Sequence, residues 1–482
     1  MKKFISLVIG TFLFSLSTFA LTSAEISEVK KYSIESIYSK LRAGDRITRE
    51  AISAKKININ KENVIGYTVL SYAAIDNEIE IVKFLLANGA KPDAGLNFPL
   101  YEICWASEKP KDQSEVINLL VAAGANINKK HKNSSDTPLM ATLKKQNGKY
   151  ARLLINSGAK TGVTNSSGQT ALIVCADYLD RANCVSIMRL LIEKGSDVNV
   201  RDKNGNTALS VSASRGFSEV VKILLEKGAN PNNPEKKPNE IPILNACYSG
   251  DTECVKLLLK YGADITVKDS YGVTALENAC ISKDNAEILE ICINGGCDVN
   301  YVDPTSGMTP FMIAAIWNHK TQMKLLVDRG ARVNIENPQI GNLLMFIIAN
   351  GIKEANPPYY PANDLGGAIY GIDLGMNVSV RNARGESPRS YVIKYLNRAK
   401  ESKYEDYLIL MEKIIDKENR AIKYTLHEAA ILGKTDFVKD YLKNKDALIS
   451  QSDADGHTPL YYAKKFGRSD IVKLLTNAGA TE

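Results

Sequence analysis

The sequence predicts an all-α solenoid of about twelve helix–turn–helix repeats joined by projecting turns or hairpin loops. One observation is a recurring block in which Gly, any residue, Thr, and Ala or Pro precede a large apolar residue. This block occurs at 168–172, 205–209, 272–276, 307–311 and 456–460. A second block, an apolar run before a Gly-Ala pair, follows about twenty residues later. It is found at 84–90, 153–159, 223–229, 257–263 and 474–480.

Each part of the repeat has a local physical reason. The Thr is expected to cap the first helix, because its hydroxyl accepts a hydrogen bond from an amide that has no helical partner. Pro stands at the first helical position, where a missing N–H costs nothing. Small residues such as Ala73-Ala74 and Ala314-Ala315 let neighbouring repeats approach closely. The Gly of the second block ends the second helix in a left-handed conformation.

An apolar residue after each Thr-Pro or Thr-Ala pair, or its equivalent, anchors one repeat. Most anchors lie about 33 to 35 residues apart, as Leu139 and Leu172 do. Arg389 is the poorest anchor and is placed by Ser387-Pro388 before it. The anchors are Leu70, Leu100, Leu139, Leu172, Leu209, Ile243, Leu276, Phe311, Leu344, Arg389, Leu426 and Leu460.

These residues resemble the ankyrin repeat, with its pattern Asp-x-x-Gly-x-Thr-Pro-Leu-His-x-Ala-Ala and Leu-Leu-x-x-Gly-Ala-Asp, over residues 61–482. The family's His is replaced in most copies and is kept at His427. The repeats anchored at Leu100, Leu344 and Arg389 match poorly. The resemblance implies a stack of helix pairs that binds another protein, on a concave face made by the projecting turns and the ends of the first helices.

The N-terminus is typical of a secretory signal peptide, predicted at 1–24. Two lysines precede the apolar stretch Phe4–Ala20, and Thr22-Ser23-Ala24 offers small residues for cleavage, with Ala20 as a second choice. The alternative is an uncleaved membrane anchor, but the stretch is hydroxyl-rich and shorter than the about 20 apolar residues that a spanning helix needs. We expect an exported protein, periplasmic or secreted, with no stable membrane insertion after cleavage.

After the signal peptide the pattern divides the chain into four parts. Residues 25–60 hold two amphipathic stretches that we interpret as degenerate capping helices, because an open stack needs capped ends. Ankyrin repeats are predicted at 61–344, degenerate repeats at 345–420 and C-terminal repeats at 421–482. Prolines within 351–364 exclude a regular helix and indicate an inserted loop. That loop is either functional or a tolerated surface insertion.

Composition and motifs exclude several classes of function. The net charge of +7 falls to +5 (7 − 2) once Lys2 and Lys3 leave with a signal peptide, and no basic stripe suits a nucleic acid. The four histidines lie in different repeats, without a second metal-type ligand three or four residues away. Phosphate-binding, nucleophile-elbow and zinc-protease motifs do not occur. We predict no catalytic residue, no cofactor, no metal site and no nucleic-acid partner.

The eight cysteines fall mostly on repeat positions that are small or apolar, so we predict buried thiols rather than a disulfide framework. Equivalent positions of neighbouring repeats lie about 10 Å apart, whereas a disulfide needs Cα atoms within about 7 Å. This argues against a bond between Cys247 and Cys280. Cys247 with Cys254, across one helix pair, is the only bridge that we would test.

Aromatic and basic side chains mark the positions where the resemblance places a partner. Aromatic residues and arginine most often carry binding energy at interfaces. The alternative for each aromatic residue is packing, because a ring at a helix end can simply cover the next repeat. The candidate residues are Tyr67, Trp105, Lys144, Lys145, Tyr178, Arg215, Tyr248, Tyr271, Trp317 and Phe466.

The leading hypothesis is a monomeric, non-enzymatic scaffold that binds another protein outside the cytoplasm. Its role is either to organise the cell's own exported proteins or to act on a host as a released factor. The second class is a structural component of a surface assembly, which predicts self-association. An enzyme with its site in the loop 351–364 has the least support.

Overall fold

Paired helices make up the part of the chain that a computed structural model describes. The described residues are 21–106, 112–232, 241–337, 341–350, 365–399, 401–418, 423–443 and 448–482. Most of the predicted signal peptide, residues 1–20, and the whole predicted loop at 351–364 lie outside these ranges.

The chain divides into two compact units, each with its own internal packing. The first unit is Met1–Ser212 with Phe217–Asn230, and the second is Ala213–Gly216 with Pro231–Glu482.

A single helix, Ser23–Val29, precedes thirteen consecutive helix pairs within the described ranges. We number the pairs in chain order and call their two members helix A and helix B. The pairs are Ile34–Arg42 with Arg46–Ser53, Val69–Ile75 with Ile79–Ala87, Pro99–Trp105 with Ser114–Ala122, Pro138–Lys144 with Gly148–Asn156, Ala171–Tyr178 with Arg181–Glu193, Ala208–Ser214 with Ser218–Glu226, Pro242–Ser249 with Thr252–Lys260, Ala275–Ile281 with Ala286–Asn294, Pro310–Ile316 with Lys320–Asp328, Leu343–Asn350 with Gly366–Asp373, Pro388–Leu396 with Tyr404–Glu418, Leu426–Leu432 with Thr435–Tyr441, and Pro459–Lys465 with Ser469–Asn477.

The predicted all-helical repeat fold is therefore confirmed, and the twelve anchors fall in the A helices of pairs 2 to 13. Two isolated antiparallel bridges, Lys268 with Thr274 and Asn337 with Gly341, close turns between pairs. Among the described residues, no helix combines the length and the apolar character that crossing a membrane requires.

Threonine caps start most A helices, as the sequence predicts. The Thr137 hydroxyl accepts a hydrogen bond from the Met140 amide (3.3 Å), and Thr309 does the same for Met312 (3.3 Å). Thr170 differs, because its side chain makes no cap bond and its buried hydroxyl oxygen has no hydrogen-bond partner within the described ranges.

Glycine ends the B helices because the chain turns there through the left-handed region. Gly158 has a φ of 90°, a conformation in which a Cβ is strained. This turn lets the Ala159 amide donate to the Leu154 carbonyl oxygen (3.0 Å), so a carbonyl of the last helical turn is satisfied.

An asparagine brace ties neighbouring pairs together beside these turns. The Asn300 side-chain amide donates to the Gly330 carbonyl oxygen (3.0 Å), and its Oδ1 accepts from the Arg332 amide (2.8 Å). One side chain therefore satisfies both a carbonyl and an amide of the following repeat. The same two bonds are made by Asn60, Asn199, Asn232 and Asn334.

The core of each unit lies between successive helix pairs. In the first unit, helix A of pair 3 packs between the A helices of pairs 2 and 4, and helix A of pair 4 also packs against that of pair 5. In the second unit, helix A of pair 8 packs between those of pairs 7 and 9. All twelve predicted anchors are buried, including Arg389.

Arg389 occupies its apolar position as part of a buried ion cluster. Its guanidinium lies 2.7 Å from the Glu418 carboxylate, pairs with Glu428 and donates to the Lys423 carbonyl oxygen (2.8 Å). Glu428 also completes the cap of its own helix, where its carboxylate accepts from the Thr425 amide (2.7 Å). The poor anchor is thus explained by a polar cluster that replaces apolar packing between pairs 11 and 12.

The cysteines are buried, as predicted, except for the half-exposed Cys297, and none forms a disulfide. The bridge between Cys247 and Cys254 that the sequence singled out is therefore not formed. The Cys247 sulfur lies 3.9 Å from that of Cys292, in the next pair. The estimate of about 10 Å between equivalent positions does not apply to this contact, because Cys247 lies in a helix A and Cys292 in a helix B.

Replacement of Arg389 by Met is expected to destabilise the second unit by about 3–5 kcal/mol, because two buried carboxylates lose their partner. Urea unfolding of the full chain, followed by circular dichroism, measures the loss.

Replacing all three charges, as Arg389→Met, Glu418→Met and Glu428→Gln, should restore most of that stability. The Gln at 428 keeps an acceptor for the helix cap. Unfolding of the Arg389→Met variant at the wild-type urea concentration would show that the cluster contributes nothing.

Candidate functional site

Three candidate residues stand at the same place on neighbouring repeats of the first unit. Trp105, Lys144 and Tyr178 are the last residues of helix A in pairs 3, 4 and 5. Because these helices pack side by side, their C-terminal ends form one continuous edge. Lys145 follows Lys144 as the C-cap of its helix. We call Trp105, Lys144, Lys145 and Tyr178 the aromatic–lysine strip.

Cation–π contacts link the strip from pair to pair. The Lys145 ammonium lies 4.4 Å from the centre of the Trp105 ring, and that of Lys144 lies 5.7 Å from the centre of the Tyr178 ring. Both distances are within the about 6 Å over which a ring face attracts a cation. The rings remain accessible, since Trp105 is 42% exposed and Tyr178 39% exposed.

The carboxylate of Asp136 neutralises the charge of Lys144. Its ammonium lies 2.8 Å from Asp136 Oδ2 and 3.0 Å from Oδ1, and the Asp136 side chain is buried. Asn165 of the next turn also donates to Asp136 (2.9 Å). A carboxylate with three hydrogen bonds holds Lys144 in one position.

A ring stack supports Trp105. The Tyr101 ring, one helical turn earlier, lies nearly parallel to it with centroids 6.2 Å apart. The His131 ring then stacks on Tyr101 at 4.4 Å. Tyr101 and His131 were not predicted as part of the site. The spacing of four residues between Tyr101 and Trp105 is a helical neighbour pair that could have indicated the first contact.

Tyr67 and Phe466 take part in packing, the alternative that the sequence left open. The Tyr67 hydroxyl donates to the Glu102 carboxylate (2.7 Å) of the next pair, and burial and this bond raise the Tyr67 pKa. Phe466 meets the Tyr404 ring edge-on, with centroids 5.0 Å apart. Tyr67 thus joins pairs 2 and 3, and Phe466 joins pair 13 to pair 11.

The other candidates belong to the second unit and lie on separate elements. Tyr248 and Tyr271 are 49% and 62% exposed, in helix A of pair 7 and in the turn that follows that pair. Trp317 is half-buried, with its ring 6.2 Å from that of His319. Arg215, after helix A of pair 6, is half-buried too. The structure therefore brings four of the ten candidates into one connected strip.

Each of the four histidines lies against an aromatic ring. The pairs are His131–Tyr101, His319–Trp317, His427–Tyr462 and His457–Tyr461. Among the described residues, no group of three or more His, Cys, Asp or Glu side chains is arranged to hold a metal ion. A groove of about 540 Å³ between pairs 11 and 12 is lined partly by Arg389 and Glu428, which already bind each other.

Family models match most of the chain. The model described as "Ankyrin repeats (3 copies)" matches residues 103–202, 181–269, 243–337 and 399–481, and the model "Ankyrin repeat" matches 65–95. The unmatched stretch 338–398 contains the anchors Leu344 and Arg389, where the sequence pattern is also poor.

Relatives share the repeats at low identity. The chain is 25% identical to the human transient receptor potential cation channel subfamily A member 1 over 90% of its own length and 38% of the channel's. It is 25% identical to the ankyrin repeat and KH domain-containing protein mask-1 of Caenorhabditis elegans over 56% of its length and 9% of that protein's. With a putative ankyrin repeat protein of Rickettsia felis it shares 24% identity over 57% of this chain and 76% of the relative.

Among solved structures, the human ASB11 ankyrin repeat domain is 23% identical, with a TM-score of 0.39, and the match covers 51% of this chain and 98% of that domain. The chain spans only a minor part of the first two relatives, 38% and 9% of their lengths.

Repeat period, cap chemistry, helix pairing and the extent of the family match agree. The chain belongs to the ankyrin repeat family, whose repeats serve in protein–protein interaction.

Proposed function

We propose that this chain is a non-enzymatic scaffold that binds a protein partner through the aromatic–lysine strip of its first unit. The observation that carries the proposal is the pair of accessible rings, Trp105 and Tyr178, each beside a lysine of the intervening repeat. Rings held in this way lose little conformational freedom on binding, which favours affinity.

The charge of the strip indicates the chemistry of the partner. Lys144 is paired with Asp136, and Lys145 places a second positive charge beside the Trp105 ring. A complementary protein surface presents an apolar side chain to the rings and a carboxylate to Lys145. We propose a partner of this kind and a monomeric scaffold. A surface-assembly component would instead self-associate, which light scattering of the purified chain detects.

We also propose that the protein acts outside the cytoplasm. Support comes from the charged and apolar N-terminal sequence up to Ala20. The two candidate cleavage positions differ in whether the mature chain keeps the N-terminal cap of its first helix. Thr22 caps the helix Ser23–Val29 and shares a capping box with Glu25. Cleavage after Ala20 keeps this cap, whereas cleavage after Ala24 removes it.

The double variant Trp105→Ala, Tyr178→Ala is expected to lose its partner while it stays folded. Truncation of a central aromatic residue typically costs about 2 kcal/mol of binding, or about 30-fold in affinity. The exposed sites should change unfolding stability by only about 0.5 kcal/mol each. Quantitative mass spectrometry of proteins captured by the immobilised full chain measures binding, and thermal unfolding measures stability.

Tyr261→Ala provides the matched control. Tyr261 is 39% exposed, like Tyr178, but it is the C-cap of a B helix. A partner retained by the wild type and by Tyr261→Ala, and lost from the double variant, supports the strip. Equal capture by all three proteins would refute it, and a large drop in melting temperature of the double variant would identify the rings as packing residues.

Intact-mass analysis of the protein from the exported fraction tests the localisation. We expect a mature chain that begins just after Ala20 or just after Ala24. A full-length chain found in the cytoplasmic fraction would contradict export.

A further inference from the structure

Three cysteines of pairs 7 and 8 form a connected group that the proposed function does not use. The Cys247 sulfur lies 3.9 Å from the Cys292 sulfur. The Cys297 amide donates to the Cys292 carbonyl oxygen (3.0 Å) just beyond the end of the helix Ala286–Asn294, a helix-end bond that brings the side chains of these two residues close together. The thiols therefore follow one another in the order Cys297, Cys292, Cys247.

Access to solvent differs along this series. Cys247 and Cys292 are fully buried. Cys297 is half-exposed, and all seven other cysteines of the chain are buried. Its sulfur is turned toward the Ile265 carbonyl oxygen (3.4 Å), at the edge of the core. Cys297 is therefore the member of this group nearest to solvent, and we expect a dissolved oxidant to reach the group there first.

We propose that Cys297, Cys292 and Cys247 form a thiol relay, in which Cys297 takes up oxidation from a low-molecular-weight disulfide and a Cys247–Cys292 disulfide results. The product would link helix A of pair 7 covalently to helix B of pair 8. The two sulfurs are in contact already, and bond formation needs them to close to about 2.05 Å.

The steps balance as thiol–disulfide exchange. The Cys297 thiolate attacks the small disulfide, forms a mixed disulfide and releases one small thiolate. The Cys292 thiolate then attacks the Cys297 sulfur and releases the second small thiolate. Finally the Cys247 thiolate attacks the Cys292 sulfur and releases the Cys297 thiolate. Two protein thiols have lost two electrons and two protons, and the small disulfide has become two thiols.

The environment makes the reaction slow at neutral pH. The neighbouring Cys292 thiol and burial raise the Cys297 pKa. The contact with Cys247 has the same effect on the Cys292 pKa. Since the thiolate is the nucleophile, the rate should rise with pH across the alkaline range.

The chain contains its own comparison. Cys175 and Cys184, in pair 5 of the first unit, have sulfurs 3.7 Å apart, and both are fully buried. Their sulfurs are as close as those of Cys247 and Cys292, but neither cysteine is half-exposed. If proximity alone decided oxidation, the two pairs would react alike.

The test exposes the reduced, folded full chain to glutathione disulfide, quenches samples by alkylation and maps linked peptides by mass spectrometry. We expect the Cys247–Cys292 link to form at least about tenfold faster than the Cys175–Cys184 link, which must wait for local opening. Equal rates for the two pairs would overturn the relay. This comparison needs no substitution, so it does not depend on a variant that folds.

Serine variants test the order of transfer. Cys297→Ser should slow formation of the Cys247–Cys292 link to the rate of the buried pair, and Cys292→Ser should leave Cys297 as a stable mixed disulfide with glutathione. In Cys247→Ser the reaction should stop at a Cys292–Cys297 link. An unchanged rate in Cys297→Ser, a mixed disulfide on wild-type Cys297 that is never passed on, or a Cys280–Cys292 link in place of Cys247–Cys292 would each refute the proposal.

Discussion

Within each compact unit, successive helix pairs bury their apolar side chains against each other, and the other features depend on this constraint. The A helices must approach closely, so they carry small residues such as Ala141 and Ala279, both buried. Their C-terminal ends are thereby placed in a row, which turns single residues such as Trp105 and Tyr178 into neighbours. Asparagine braces such as Asn300 hold the turns at the same spacing. The binding strip is thus a product of the packing that stabilises the fold.

The same constraint explains how the array tolerates irregular repeats. A repeat needs a neighbour that complements it, but the complement need not be apolar. Arg389 fills an apolar position because Glu418 and Glu428 meet it from the adjoining elements. Such a cluster depends on all its members, since each buried charge is stabilised only by the opposite charges around it. Arg389 lies in the stretch 338–398 that the family models do not match.

Features that recur within one repeat could be predicted from the sequence, and features between unequal positions of two repeats could not. The caps at Thr137 and Gly158 follow from residue type and spacing alone. The contacts of Lys145 with Trp105 and of Cys247 with Cys292 depend on how side chains from different helices face each other. The sequence contains a sign of the asparagine brace, because an Asn stands four residues after several of the glycines that end B helices, as in Gly296 and Asn300. The role of this Asn could be recognised only in the structure, because its hydrogen-bond partners lie in the next repeat.

Amide hydrogen exchange of the full chain, alone and with its captured protein partner, tests most directly whether the ends of the A helices of pairs 3 to 5 form the binding surface. We expect exchange to slow on binding at 101–106, 141–146 and 174–179. We expect no change in the B helix Thr252–Lys260 and its cap Tyr261. Slowing confined to that helix, with the three segments unchanged, would show that the partner does not bind the aromatic–lysine strip.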